Sequence, residues 1–170
     1  VEGEHLLVNG EKMAKSLGNF LTLRDIESKK FNPLAFRYLV LTSHYRSKLN
    51  FTWSSLQAAQ NSLERLYEFV RKLAAQNQKS KILTRPSRQA LGKNQNDISK
   101  LKNSFTEAFF DDLDTPRAIA TIWNLIHQHN KNPRRFNAQQ ILKLLYDFDK
   151  VLGLGLKNIK PEKIPAKVLE

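Results

Sequence analysis

Two lysines three residues apart, Lys12 and Lys15, stand in the polar run Val8-Asn9-Gly10-Glu11-Lys12-Met13-Ala14-Lys15-Ser16-Leu17-Gly18-Asn19-Phe20. In a turn or a first helical turn this spacing aims both ammonium groups to one side, while Gly10 and Gly18 bracket the segment with permissive backbone. Two cations held in that way stabilise negative charge building on a departing phosphate group. Ser16 and Asn19 add short polar side chains, so the segment offers hydrogen bonds as well as charge. Taken alone, Lys12 to Ser16 fit a solvated surface loop equally well.

The remaining reactive side chains are sparse. There is no cysteine, and the four histidines, His5, His44, His127 and His129, form no His-x-x-His pair. His127 and His129 are two apart, so a helix would point them to different sides; they read as exposed residues near a helix end. His44, beside Tyr45 and Arg46, fits either a functional or a hydrogen-bonded structural role. Asp111, Asp112 and Asp114 crowd one turn, but Thr115-Pro116 follows at once. Carboxylates are favoured just before a helix N-terminus, so capping is the expected role and no metal site is assigned. Neither a G-x-G-x-x-G run nor a Walker-type phosphate loop occurs.

The elements that must position these residues are mostly helical. Residues 1–10 read as a strand or extended arm, and Thr22 to about Lys30 as a short helix. Asn32-Pro33 pairs an N-cap with a first-turn proline, predicting a buried helix to about Ser43 with Leu34, Phe36, Tyr38, Leu39, Val40 and Leu41 inside. From Thr52, Leu56, Ala59, Leu63, Leu66, Val70 and Leu73 alternate steps of three and four, the seam of a bundle helix. Pro86, Gly92 and many polar residues predict a basic linker at about 76–96.

Further bundle helices are expected from about Asp97 to Phe110, from 116 to about 129, and from 138 to about 152. Their inward residues include Ile98, Leu101, Phe105 and Phe109, then Ile119, Ile122, Trp123 and Ile126, then Ile141, Leu145, Phe148, Val151 and Leu152. Gly153 stops the last helix. Residues 154–170, with Pro161 and Pro165, read as an exit segment. The fold class expected is mainly α: a connecting unit over 1–50 that carries the lysine loop, then an antiparallel helical bundle over 51–155, then the exit segment from 156 to 170.

The 170 residues carry 28 Lys and Arg against 16 Asp and Glu, a formal charge of +12 that calls for a polyanionic partner. Between 79 and 102 seven cations face the single Asp97, either a solvated segment or a strip that contacts phosphates. No apolar run approaches the roughly 18 residues of a membrane span, and the first residues do not form a signal peptide.

The lysine run resembles the KMSKS loop of class I aminoacyl-tRNA synthetases, with Ala14 where a serine usually stands. Downstream, Thr22-Leu23-Arg24-Asp25-Ile26, the stretch from Asn32 to Ser47, and above all Ser43-His44-Tyr45-Arg46-Ser47-Lys48-Leu49-Asn50-Phe51 resemble the cysteinyl-tRNA synthetases. Phe109 to Ala118 resembles the acidic turn that opens a later helix in the helical domain of that family. The likeness spans nearly the whole chain and is densest over 5–70 and 105–155.

The resemblance implies a C-terminal portion of such an enzyme, from just before the lysine loop through the domain that lies along the tRNA. A nucleotide-binding domain with zinc cysteines would precede it, and a small anticodon-reading domain would follow. On that reading the partners are cysteine, ATP with Mg, and cysteine tRNA, in a cytoplasmic monomer, with Zn expected only in the preceding part. Lys15 would be the main contact to the ATP phosphates, with Lys12 its helper and Ser16 beside them. Arg46, Lys48, Lys79, Lys81, Arg85, Arg88, Arg134 and Arg135 would meet the tRNA backbone. The portion alone is expected to be inactive. Two other readings stay open: a helical RNA-binding module without catalysis, and part of a related ligase that joins cysteine to an amino sugar.

Overall fold

The computed structural model describes residues 3–83, 95–133 and 135–159, with the backbone alone for 79–83 and 95. The described residues are mainly α, six α-helices with a small three-stranded sheet at the N-terminal end. Strand β1 (Leu6–Val8) turns back at Asn9-Gly10 into β2 (Glu11–Lys12). Both turn residues are left-handed, with φ of 52° and 87°, the requirement of the tight hairpin turn that Asn-Gly supplies. Strand β3 (Leu49–Phe51) pairs in parallel on the other edge of β1, with Leu6 opposite Leu49 and Val8 opposite Phe51. The Gly10 N–H donates to Asn50 Oδ1 at 2.8 Å, so the hairpin turn is anchored to the neighbouring strand.

Helix α1 (Leu23–Ser28) opens with a capping box. The Thr22 hydroxyl accepts from the Asp25 N–H at 3.3 Å, and the Asp25 carboxylate accepts from the Thr22 N–H at 2.7 Å. The same Thr22 hydrogen bonds hold the Asp25 carboxyl below the usual carboxylate range. Helix α2 (Pro33–Leu41) begins as expected, with Asn32 Oδ1 accepting from the Leu34 N–H at 2.9 Å.

Helix α2 packs on α3 (Trp53–Leu83), whose seam residues Leu56, Ala59, Leu63, Leu66, Val70 and Leu73 are all buried. Thr52 and Ser55 exchange side-chain-to-backbone bonds at its start, each 3.0 Å. Helix α3 continues to Leu83, past Gln76, where the polar composition predicted a break. Local helix propensity of the Gln, Lys and Leu residues there is high enough to carry the helix once a packed turn precedes it.

Helices α4 (Gln95–Phe110), α5 (Thr115–Lys131) and α6 (Ala138–Leu152) complete the bundle, with α4 against α5 and α6 against α3. Phe105 of α4 stacks on Phe148 of α6, ring centroids 3.8 Å apart. The beginning of the expected exit segment belongs to the core. Leu154 and Leu156 are fully buried, because the buried Asp149 accepts from both of their N–H groups at 2.6 and 2.8 Å. The Tyr67 hydroxyl adds a 2.7 Å bond to the Leu154 carbonyl, and burial, followed by the nearby Asp149 charge, pushes that phenol up to about 12.

Two apolar positions expected inside, Val40 and Val151, are 43% and 53% exposed, since each falls on the outer side of an otherwise buried helix. His129, expected to be exposed near a helix end, is 7% exposed. Two more residues of helix follow it, and its ring meets the edge of Phe69 at 5.4 Å. Among the described residues its Nδ1 has no hydrogen-bond partner, and burial pushes its pKa down.

Bonds between the N-terminal unit and the bundle hold α2 in place. Arg37 Nε donates to the Leu152 carbonyl, and Trp123 Nε1 donates to the Tyr38 hydroxyl at 2.8 Å. Gly153 is left-handed, with φ of 63°, which strains any other residue there, and a Cβ would lie 2.9 Å from the Arg37 guanidinium, which would have to shift.

Candidate functional site

The lysine segment is a built turn rather than a loose loop. Lys12 ends β2, Ala14 is extended with φ of −147°, and Lys15 opens a one-turn 3-10 helix (Lys15–Leu17) that Gly18 closes at φ of 66°. The two lysines therefore sit on two successive elements rather than in one turn. Asn19 spans the gap between them: its Oδ1 accepts from the Ala14 N–H at 2.8 Å, and its Nδ2 donates to the Lys12 carbonyl at 3.1 Å. One side chain thus satisfies the backbone on both sides of Met13 and fixes the shape of the turn.

Lys12, Lys15 and Ser16 are exposed, and neither lysine is in an ion pair among the described residues. Lys15 Nζ lies 5.5 Å from the Phe20 ring centroid, a weak contact that leaves its charge available. Among the described residues no group of His, Cys, Asp or Glu is arranged to hold a metal ion.

The segment from Ser43 to Lys48 is tied to the turn between α4 and α5. Asp112 Oδ1 accepts from the Tyr45 hydroxyl and from an Arg46 guanidinium N–H at 3.1 Å, and His44 Nε2 lies 3.8 Å from Asp112 Oδ2. Arg46 Nε also donates to the Tyr45 hydroxyl at 2.9 Å, and the His44 and Tyr45 rings stack at 4.8 Å. The Tyr45 hydrogen bond, then the Asp112 charge, hold the Arg46 guanidinium more firmly protonated. Asp112 and Leu113 both have φ of 56°, a left-handed pair that costs on the order of 1–2 kcal/mol per residue. The contacts of Asp112 and the cap that follows hold this turn in place. Asp114 Oδ1 caps α5 by accepting from the Arg117 N–H at 3.1 Å, and Asp111 pairs with the Arg117 side chain at 2.7 Å. The acidic turn is thus a cap and a latch.

The residues expected to meet nucleic acid separate into groups. Arg46 is occupied by Asp112, while Lys48 is exposed at the start of β3. Arg135 is held by Asp97 of α4 through two bonds of 3.1 and 2.9 Å, with Phe136 beneath its guanidinium at 5.3 Å. Lys79 and Lys81 lie on the last turns of α3, their side chains outside the description, and Arg85, Arg88 and Arg134 lie outside the described residues. Asn19 and Asp112 are the two site residues whose roles the sequence does not announce. Asn19 beside a left-handed Gly18 is a local signal for a brace, whereas Asp112 finds its partners some 66 positions away.

Residues 1–61 match the family of class I (C) tRNA synthetase catalytic domains, and residues 104–157 match the DALR domain. The lysine turn and the small sheet lie within the first match, that of the class I tRNA synthetases, and helices α5 and α6 lie within the second. Cysteine–tRNA ligases match along the length of the chain. The protein from Protochlamydia amoebophila is 32% identical over 175 residues, covering 100% of this chain and 35% of that protein. Those from Borrelia turicatae and Chlamydia felis are 38% and 36% identical, covering 93% and 100% of this chain and 32% and 35% of theirs. The chain belongs to the cysteine–tRNA ligase family, and it spans about a third of the length of these relatives.

Proposed function

We propose that this chain is the part of a cysteine–tRNA ligase that brings the lysine turn over the phosphates of ATP and docks the helical bundle on cysteine tRNA. The whole enzyme joins cysteine to ATP as cysteinyl adenylate, releasing pyrophosphate, and then passes the acyl group to the terminal ribose of the tRNA. ATP enters with Mg, and the enzyme works as a cytoplasmic monomer. Among the described residues no helix is long and apolar enough to cross a membrane.

The observation that carries this reading is the braced turn, with Lys12 and Lys15 exposed and free of carboxylates on a backbone that Asn19 holds in shape. As the cysteine carboxylate attacks the α-phosphorus, charge moves onto the departing pyrophosphate. Lys15, on the outer 3-10 turn, meets that charge, with Lys12 supporting it and the Ser16 hydroxyl donating to a phosphate oxygen. Ala14 in place of serine removes one hydroxyl; Asn19 bonds the Ala14 N–H and so supplies order there.

In the full-length enzyme, Lys15→Ala should slow ATP–pyrophosphate exchange by about a hundredfold, as loss of a transition-state donor does. An unchanged exchange rate would remove Lys15 from this role. An RNA-binding module without catalysis is the second reading, and the high positive charge favours it. On that reading Lys15→Ala weakens RNA binding while the protein supports no exchange at all.

A further inference from the structure

The bundle carries a second concentration of positive charge along α6. Helices α3 and α6 enclose an open groove of about 540 Å3 between Asn77 and Gln78 on one side and Lys143, Tyr146 and Lys150 on the other, with Lys157 closing one end. Lys143 and Lys150 are seven apart on α6, two turns, so their stems rise from one side of the helix about 10 Å from each other. All three lysines are exposed. Among the described residues only Lys150 of these three is in an ion pair, with Asp147 at 2.6 Å, a surface pair of the kind that contributes little and exchanges readily. Lys102 of α4 is close enough for its charge, with those of Lys150 and Lys143, to act on the same carboxylate. Three ammonium groups thus act on one aspartate.

We propose that this groove is a docking site for the sugar-phosphate backbone of one strand of an RNA stem, with Lys143, Lys150 and Lys157 on successive phosphates. Asn77 and Gln78 give amide hydrogen bonds to phosphate oxygens or ribose hydroxyls. The proposal rests on the tRNA-docking reading and gives it a place on the bundle. The mixture of donors selects RNA over an acidic peptide. Ammonium groups alone serve either polyanion, but neutral amide and phenol groups beside them suit a backbone that presents hydroxyls between its charges. The groove also explains why the protein need not use Arg46 or Arg135 for this contact, since both are committed to aspartates.

The test is equilibrium binding of the chain to cysteine tRNA across a potassium chloride series, for the unaltered protein and two double variants of equal net charge. The groove variant is Lys143→Gln with Lys157→Gln. The control is Lys72→Gln with Lys131→Gln, exposed lysines outside the groove. Two lost phosphate contacts should reduce the slope of log K against log salt by about 1.4–1.8 and weaken binding at least tenfold at low salt, while the control changes little. Lys143→Arg with Lys157→Arg should restore the slope. All four residues being exposed, the variants should melt with the parent, and melting curves check this. Equal losses in the groove and control variants would overturn the groove and leave general electrostatic docking standing. Failure of the unaltered chain to bind the tRNA at any salt would overturn the docking reading beneath it.

Discussion

Asn19 shows how a single side chain decides whether two lysines form a site. It donates to one carbonyl and accepts from one amide, so removing it frees the backbone between Lys12 and Lys15 without touching either charge. In the full-length enzyme Asn19→Ala should therefore slow pyrophosphate exchange by about tenfold, less than loss of Lys15, because catalytic groups misplaced by an ångström or so lose much of their effect. Asn19→Asp, which keeps the acceptor and loses the donor, should fall between; parity of Asn19→Ala with the parent would show that the turn holds its shape unaided. His129 makes a different prediction. Burial depresses its folded pKa below the ordinary 6.5, so the unfolded chain takes up a proton first as the solution is acidified. Stability should accordingly fall from about pH 6.5 downward until the folded-state value is reached, and urea titrations of His129→Leu should lack that part of the slope. An unchanged slope in the variant would assign the acid sensitivity elsewhere.

Among the elements, the helix starts carry the clearest sequence signals, and their energetics are testable. Asp114 caps α5 by accepting from the Arg117 N–H, so Asp114→Ala should cost about 1 kcal/mol and lower Tm by about 2–4 °C. A calorimetric shift of zero would mean that Asp111 and Asp112 hold the turn without it. Asn32-Pro33 and the leucine seam of α3 were legible for the same reason as Asp114: each is a local pattern whose partner lies within a turn or two. The hairpin was legible too, since Asn9-Gly10 between short apolar and polar runs is a strong signal, but reading residues 1–10 as an arm passed over it. Strand β3 offered no such pattern. Three residues that pair in parallel with a strand some forty positions earlier have too little periodicity to show and depend on contacts that only the fold supplies. The burial of His129 and of Leu154 and Leu156 was hidden similarly, because it depends on α3 and on Asp149 rather than on neighbours in sequence. For the candidate site, the charges could be read from the chain and Asn19 beside Gly18 hinted at the brace, whereas the latch at Asp112, with partners some 66 positions away, could not be read.

For the whole molecule, the bonds joining the first fifty residues to the bundle imply one cooperative unit. Arg37 grips the end of α6, Trp123 bonds Tyr38, and Asp112 holds Tyr45 and Arg46, three ties from three different helices or turns. The two tryptophans report on the two parts: Trp53 packs with Phe31 and Phe51 in the N-terminal unit, and Trp123 lies on α5. Urea unfolding followed by fluorescence of Trp53→Phe and of Trp123→Phe should give one midpoint, allowing for the cost of each substitution, and it should match far-UV circular dichroism. Two separated transitions would make the units independent. The same connectedness has a mechanical side. Helix α3 has 31 residues and is therefore about 46 Å long, and it starts two residues after Phe51, whose strand lies beside β1, which pairs on its other edge with the β2 that ends at Lys12. It is a lever with its fulcrum at the sheet. A tilt of ten degrees at its foot moves the far end by roughly 8 Å, so a load applied by a bound macromolecule at the distal end returns to the sheet as a small, strongly geared rotation next to Lys12.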